Sequence, residues 1–416
     1  MPQAQGALTQ ILMQMETTYK TLPVNVKSKK VYFSTADPGF TQDFEESDVM
    51  RGASRHPTQP MRGSVDVAPS IETELQATSA LLYAAMGSME TTMTGGTMGT
   101  ALTTPTATID AVAQLMTINA TAHGLVVGDS VEIATLTAPT SLNGKIWPVV
   151  AVPSANQFII RIPMGTSTTV ALGSGTIKKV TAVGVCTHTL KAGGNLPSYV
   201  LEFGYTDIGQ YLREMGNKLA SLSFSIGAKG AIKLSTKWMG ANEVTAASSF
   251  DTGTPLDNGK RSFDNLGLAA ADMKEGGSAI ANVLSIDSIT LDNQLDGDNF
   301  VVGGGGSRAA VNAGTYKVSG TVRATFEDMS LYTKAKNLTE SSIDFTVKRG
   351  VGDGTDGNES LQCVLPELVY KAKSPPISGP KGVIGEYGFV GYYDNHADAA
   401  AMKIIIKNSV LPGAMI

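Results

Sequence analysis

The sequence predicts a mostly β fold: two tandem copies of one β-sandwich or β-barrel module, each with a short packing helix, and one small inserted all-β domain. The 416 residues include 45 glycines and only 17% charged residues, which is typical of chains with many turns and strands. Segments that alternate between apolar and polar residues recur between turn signals. The order of elements near the start of the chain also recurs near its end.

The repeat is clearest in two long segments. VYFSTADPGFTQDFEESDVMRGASRHPTQPMRGSVDV (31–67) parallels ITLDNQLDGDNFVVGGGGSRAAVNAGTYKVSGTVRA (289–324). Each has a strand, an acidic loop, a Gly-Ala-Ser-Arg or Gly-Gly-Ser-Arg step and a second strand beginning Gly-Ser-Val or Gly-Thr-Val. A helix is predicted after each copy, at 79–86 and 328–338, because apolar residues follow at helical spacing. These residues are Leu81, Leu82 and Ala85 in the first helix, and Leu331, Ala335 and Leu338 in the second.

The first copy is interrupted just after its helix, at 104–180. This block alternates like a set of short strands and is punctuated by His-Gly, Gly-Asp, Asn-Gly and Pro-Ser, so we expect a small inserted β-domain. Without it, the first module is 28–103 with 181–240, or 136 residues, and the second module, 280–416, has 137. The near-equality favours an insertion into a duplicated module.

The remaining segments are expected to connect these units. Residues 1–27 are interpreted as an extended N-terminal arm. Residues 241–279 are interpreted as a linker and a leading hairpin, because 241–265 is polar, contains Gly and Pro, and has no period. Gly276 and Gly277 lie between alternating segments, which favours a hairpin there over a helix.

Charge and cysteine content exclude several classes of function. The formal net charge is −5 and the chain has 2 cysteines, so we expect neither a surface that grips phosphates nor a disulfide framework or thiolate metal site. No classical export signal opens the chain and no 18-residue apolar run occurs. We therefore expect no membrane contact, and contact with DNA only in passing.

No residue pattern predicts catalysis, a cofactor or a metal. His123 and Asp129 lie in a Gly-containing segment that we interpret as a turn. The stretch 292–303 begins like an EF-hand loop, but Gly303 stands where calcium needs a bidentate Glu. The Gly-rich stretch 301–310 lacks the Gly-Lys-Ser/Thr ending of a phosphate loop. We therefore predict no enzyme activity and no catalytic, cofactor-binding or metal-binding residues.

Five stretches together resemble the major tail tube proteins of long, non-contractile-tailed bacteriophages. They are METTYKTLPVN (15–25), GSVDVAPSIETELQATSALLYAAMGS (63–88), CTHTLKAGGNLPSYVLEFGYTDIGQYLREMGNKLASLSFSI (186–226), SGTVRATFEDMSLYTKAKN (319–337) and GPKGVIGEYGFVGYYDNHADAAAMKIIIKNS (379–409). The resemblance lies in the order of the elements and covers nearly all of the chain outside 104–180. That block, with TAHGLVVGDSVEI at its core, resembles small β-domains that phages insert into virion proteins and display outward.

The resemblance implies a structural virion protein that is made in the host bacterial cytoplasm and forms stacked rings in the phage tail. The rings would enclose the lumen through which the genome is ejected. Six modules of about four strands each would close the inner barrel, so a chain with two modules implies a homotrimer with pseudo-six-fold symmetry, the alternative being a homohexamer. The implied partners are the tape measure, tail terminator and tail-tip proteins, with DNA only in transit.

We further expect an acidic or neutral lumen, because a basic wall would hold phosphates. The acidic loops 43–48 and 292–298 and the N-terminal arm are hypothetical ring-to-ring contacts. The competing hypothesis is a virion surface protein that binds a receptor or carbohydrate through the inserted domain. Trp147 is the only tryptophan in the insert, so this alternative has little aromatic surface on which to stack sugars.

Overall fold

The computed structural model describes residues 3–49, 56, 58–78, 80–103, 105–163, 175–227, 229–280, 283–377, 379–380 and 382–416. Strands contain 49% of the residues, which confirms the mostly β prediction. The Gly-Ala-Ser-Arg step of the first copy, at 52–55, and the first residue of the first predicted helix, Ser79, lie outside the described residues.

The strands fall into four consecutive groups along the chain. Before the insert they are β1 Thr9–Met15, β2 Lys29–Val31, β3 Thr35–Asp37, β4 Phe40–Glu45, β5 Met61–Val67, β6 Ser70–Glu74, β7 Ser88–Thr94 and β8 Thr97–Ala101. The predicted insert contains β9 Thr106–Asp110, β10 Leu115–Asn119, β11 Ser130–Ala134, β12 Lys145–Ser154, β13 Gln157–Arg161 and most of β14 Thr176–Ala182, which ends two residues beyond it.

The first half continues with β15 Val185–Lys191, β16 Tyr199–Tyr205, β17 Gln210–Ile226, β18 Lys233–Met239 and β19 Asn242–Ala246. The second half contains β20 Met273–Glu275, β21 Ser278–Ala279, β22 Val283–Asp292, β23 Leu295–Asp296, β24 Asn312–Ala313, β25 Lys317–Thr325, β26 Ser341–Lys348, β27 Ser360–Tyr370, β28 Ile384–Gly391 and β29 Lys403–Asn408. Short 3₁₀ helices lie at Gly6–Leu8, Thr140–Leu142, Asn265–Gly267, Ala270–Asp272 and Pro412–Ala414.

The two halves share one order of antiparallel strands. In the first half, the hydrogen-bonded strands follow the order β3, β6, β18, β17, β16, β1, and β1 also pairs with β2. In the second half, the order is β22, β25, β28, β27, β26, β20, and β20 also pairs β21. The last strands correspond too, because β19 pairs β17 as β29 pairs β27. This ordered recurrence over eight strands is the fold counterpart of the sequence repeat.

The two α-helices occupy equivalent places between β6 and β16 and between β25 and β26. α1, Ala80–Met86, is buried along its whole length and contacts β17. α2, Ser330–Lys336, contacts β27, and only Ala335 is fully buried. Both lie within the predicted ranges. One helix is thus enclosed while its counterpart keeps an exposed side.

The halves are joined edge to edge by β17 and β22. Leu222 pairs with Leu291 and Phe224 with Ile289. The pairing makes one continuous antiparallel sheet with the order β3, β6, β18, β17, β22, β25, β28, β27. A close approach in this sheet needs a glycine, because a Cβ on Gly320 would clash with the Ser288 carbonyl and the Phe389 ring.

The insert has its own apolar core, centred on Trp147, Phe158 and Ile160. It is also bonded to the rest of the chain, since the Gly413 N–H donates to Ser130 Oγ and Arg161 Nη2 donates to the Asn195 carbonyl at 2.6 Å. The buried Trp147 donates its indole N–H to the Leu142 carbonyl. Its ring packs in the core and offers no exposed stacking surface.

Two segments are more ordered than the sequence suggests. The expected arm, 1–27, contains β1, a buried strand paired with both β16 and β2. Because β1 is paired along both edges, residues 9–15 form part of the sheet and not an extended arm. The expected linker contains β19, and Phe263 within it is fully buried. At the place of the expected hairpin, β20 and β21 pair across Gly276 and Gly277, which both have positive φ.

Candidate assembly surfaces

The eight-strand sheet has one apolar face and one polar face. Residues alternate along each strand, so Leu222, Phe224 and Ile226 of β17 are buried while Ser221, Ser223 and Ser225 lie on the other side. The neighbouring strands follow the same pattern. Their buried members include Ile71, Leu234, Ile289, Val322 and Phe389, and their polar-face members include Glu72, Ser235, Thr290, Arg323 and Glu386. The polar face is therefore continuous across both halves.

Several charges on this polar face lie opposite a charge of the other sign. Lys233 lies opposite Glu74, Lys317 opposite Asp292 and Arg323 opposite Glu386 in the strand registers. Cross-strand pairs of this kind are mildly stabilising. The positive and negative side chains offset each other, so the face presents no basic stripe to a polyanion.

The sheet ends in two edges that no described strand covers. At one end, β3 pairs only with β6, and the Ser34 N–H also donates to the Glu72 carbonyl on that side. At the other end, the chain leaves β27 and runs on through 371–374, which is exposed. There the Lys371 N–H donates to the Gly388 carbonyl of β28. Uncovered backbone edges of this kind are templates for pairing with another chain.

The internal junction shows how these edges correspond. β17 pairs β18 on one side and β22 on the other over Ser221–Ile226. β18 corresponds to β28, so the registers of these two strands place the equivalent of Ser221–Ile226 at 371–376. β3 pairs with β6, and β22 pairs with β25, the equivalent of β6 in the second half. The registers of these pairs show that the middle of β22 corresponds to β3. The free edge at β3 is therefore equivalent to the edge of β22, and the free edge at 371–374 is equivalent to the edge of β17. In the single chain, β22 and β17 pair with each other at the centre of the sheet.

Arg308 fastens the second half to the first beside this junction. Its Nε donates to the Gly297 carbonyl at 2.8 Å, its Nη1 to the Gly240 carbonyl at 2.9 Å and its Nη2 to Asp66 Oδ1 at 2.6 Å. The side chain is buried, and the planar guanidinium reaches all three acceptors at once. The Arg of the repeated Gly-Xaa-Ser-Arg step thus acts as an internal fastener.

We expect Arg308→Ala to lower the free energy of unfolding by about 1–3 kcal/mol, because it leaves two backbone carbonyls without a donor. Arg308→Lys should recover only part of this loss, since an ammonium cannot reproduce the three-way geometry. Urea denaturation of the three proteins measures the effect. Equal stability of Arg308→Ala and the parent would contradict the fastening role.

The acidic loops at 43–48 and 292–298 occupy equivalent places. Each lies in the excursion between the first two strands of the repeated order, where β4 pairs β5 and β23 pairs β24. β4 is exposed throughout. In the second loop, Asp292 and Asp296 accept hydrogen bonds from the N–H groups of Gln294 and Asp298. These carboxylates thus cap local turns, and no group of three metal-ligating side chains occurs in the described ranges.

Two histidines that invite a chemical interpretation have structural partners. His123 accepts the Leu125 N–H through Nδ1, and Asp129 accepts the Val126 N–H, as expected for a turn. His188 is fully buried between Thr91 and the Asn408 side chain. Burial lowers its pKa to about 4 despite the carbonyl acceptors at Asn408 and Val410, so it is neutral near pH 7.

The least expected polar group is Glu214 on β17. It is fully buried, and among the described residues neither carboxylate oxygen has a hydrogen-bond partner. Burial, together with the charges of Glu243 and Asp37, raises its pKa to about 9. Glu243 lies directly opposite in the β17–β19 register. Sequence reasoning missed this residue. The available signal was a glutamate at an inward-facing position of an alternating strand.

Comparison with known proteins identifies the family. No curated protein matches the chain. Within the described residues, no helix has the length and apolar content needed to cross a membrane. A family model described as phage tail tube protein matches residues 6–391. That family is structural and not one of enzymes. Since the match covers nearly the whole chain, the protein belongs to the phage tail tube protein family.

Proposed function

We propose that this chain polymerises laterally into rings that stack into the tail tube of a long, non-contractile-tailed phage, and that the genome passes through the lumen. The observation that carries this proposal is the equivalence between the two free sheet edges and the two edges joined by β17 and β22. Pairing of β3 with the 371–374 edge of another copy would repeat the internal junction and remove both edges.

The number of strands favours three chains per ring. Each chain contributes eight strands to the continuous sheet, namely β3, β6, β18, β17, β22, β25, β28 and β27. Three copies would close a barrel of about two dozen strands, which is wide enough for an aqueous channel. A homotrimer with pseudo-six-fold symmetry is thus the proposed ring, and a homohexamer is the alternative.

In this arrangement the polar face lines the lumen. Its opposite-sign pairs, such as Lys233 with Glu74 and Arg323 with Glu386, leave little net field along the wall. DNA could then move past without the phosphate contacts that make binding tight. The tape measure, terminator and tail-tip proteins are the proposed partners, the virion tail is the proposed location, and synthesis takes place in the bacterial cytoplasm.

The domain division forms part of the same proposal. Modules at 28–103 with 181–240 and at 280–416 would occupy equivalent positions around the ring. The first module is completed by β1 from the preceding segment, as the second is completed by β20 from 241–279. The insert, 104–180, would face outward. The loops 43–48 and 292–298 remain proposed ring-to-ring contacts.

A proline in one free edge tests the ring directly. The Lys371 N–H is used by β28, so the next N–H, that of Ala372, faces away from β28. Ala372→Pro should abolish tube formation while leaving the thermal unfolding midpoint nearly unchanged, because proline removes the outward donor. Ala372→Ser is the matched control and should assemble normally. Negative-stain electron microscopy with end-on class averages provides the measurement.

The images also decide the stoichiometry. Three outer protrusions per ring support a homotrimer, and six support a homohexamer. Tubes of Ala372→Pro as abundant as those of the parent would contradict pairing at this edge. A parent protein that stays monomeric at high concentration and with tail-tip proteins added would contradict self-assembly itself.

A further inference from the structure

An open apolar groove lies beside α2, next to the 371–374 edge. It has a volume of about 300 Å³ and is lined mainly by Phe326, Met329, Tyr332, Pro375, Ile377 and Val383. Met329 is 60% exposed and Ile377 is 84% exposed. Apolar side chains this exposed around one groove are typical of a surface that another molecule covers.

The first half shows what occupies the equivalent place. There the Leu75 N–H donates to the Ile232 carbonyl, as the Phe326 N–H donates to the Val383 carbonyl in the second half. Leu75 follows β6 as Phe326 follows β25, and Ile232 precedes β18 as Val383 precedes β28. The two pairs are thus equivalent positions of the repeated fold.

Phe263 fills this place in the first half. Its N–H donates to the Leu75 carbonyl at 2.9 Å, and its carbonyl accepts the Ile232 N–H at 3.1 Å. Its side chain is fully buried in the main core. Two flanking bonds extend the contact: the Ala77 N–H donates to the Arg261 carbonyl, and the Asn265 N–H donates to the Gly230 carbonyl. Residues 261–265 therefore lie across the end of the sheet and close it.

No described segment of the chain closes the second half in this way. The residues that close the first half belong to the stretch leading into the second half. In a head-to-tail ring, the half that follows the second half is the first half of another copy, so the stretch leading into it would come from that copy. The same copy would present β3 to the neighbouring 371–374 edge, so groove and edge form one continuous contact surface.

We propose that the groove beside α2 binds an apolar side chain of a second copy of this protein, in the manner of Phe263 in the first half. This inference rests on the proposed ring, and it adds an anchor to the edge pairing. The groove gives the interface a desolvated apolar centre next to a row of backbone hydrogen bonds. It also sets the direction of assembly, because among the described residues Phe263 already fills the equivalent place in the first half.

Ile377→Asp tests the anchor. The side chain is exposed in the single chain, so the variant should fold with the parent's unfolding midpoint. A carboxylate in a covered apolar site is unfavourable, so the protein concentration needed for tube formation should rise at least tenfold. The control is Val351→Asp, which places the same charge at a 73% exposed valine away from the groove. It should polymerise like the parent.

A photocrosslinking residue at 377 identifies the occupant. In tubes assembled from two differently tagged copies, we expect crosslinks between the tags. If the parent forms tubes but Ile377→Asp polymerises at the parent's concentration, or the crosslinks stay within one chain, the groove proposal fails while the ring stands. If the parent forms no tubes under any condition, the ring and the groove proposal fail together.

Discussion

Replacing Phe263 with alanine is expected to lower the free energy of unfolding by about 3–5 kcal/mol, which is typical of a fully buried phenylalanine. The side chain has no exposed surface and belongs to the main apolar core. Truncation removes its contacts and leaves a cavity between the ends of β6 and β18. The backbone bonds to Leu75 and Ile232 would hold the segment in place, so the neighbours could collapse only partly.

Denaturation in urea, monitored by tryptophan fluorescence, gives the free energy of unfolding. Phe263→Leu is the conservative variant and should lose less, because leucine keeps most of the buried volume. Phe44→Ala is the matched control, since Phe44 on β4 is 65% exposed and its truncation should cost much less. A loss below about 1 kcal/mol for Phe263→Ala would mean that the core does not depend on this closure.

Phe263 also marks a limit of sequence reasoning. Strand alternation predicted the fold class, and the recurring order of elements indicated a repeat that the strand pairings match. Residues 241–265 looked like a linker because their apolar residues are sparse and have no period. Their order comes from partners far away in sequence, such as Leu75 and Glu359, to which Arg261 is paired at 2.7 Å. Local patterns contain no information about such contacts.

The assembly edges illustrate the same limit. The sequence predicted alternating strands, but an edge is defined by which neighbours a strand lacks. That property follows from the complete pairing, including the β17–β22 junction between the halves. The acidic loops, by contrast, could be assigned to equivalent places from sequence, because flanking strands and glycine-rich turns mark both of them.

Glu214→Gln is expected to make the protein more stable at neutral and alkaline pH, by about 2–4 kcal/mol at pH 7.5. Burial and the nearby charges of Glu243 and Asp37 raise the pKa of Glu214 from 4.5 to about 9 in the folded chain. Between these values the unfolded state ionises and the folded state keeps its proton. Stability therefore falls as pH rises through this window, by about 1.4 kcal/mol per unit. Glutamine has no proton to lose, so the variant lacks this slope.

The pH dependence separates this effect from simple repacking. The stability difference between Glu214→Gln and the parent should be smallest near pH 4.5 and grow up to about pH 9, above which this group adds no further slope. Glu45→Gln on the exposed strand β4 is the control, and its difference should stay small throughout. Urea denaturation of the unassembled protein at several pH values gives both curves. A difference that stays constant across the window would show that Glu214 does not retain its proton in the fold, because only a shifted titration makes the difference grow with pH.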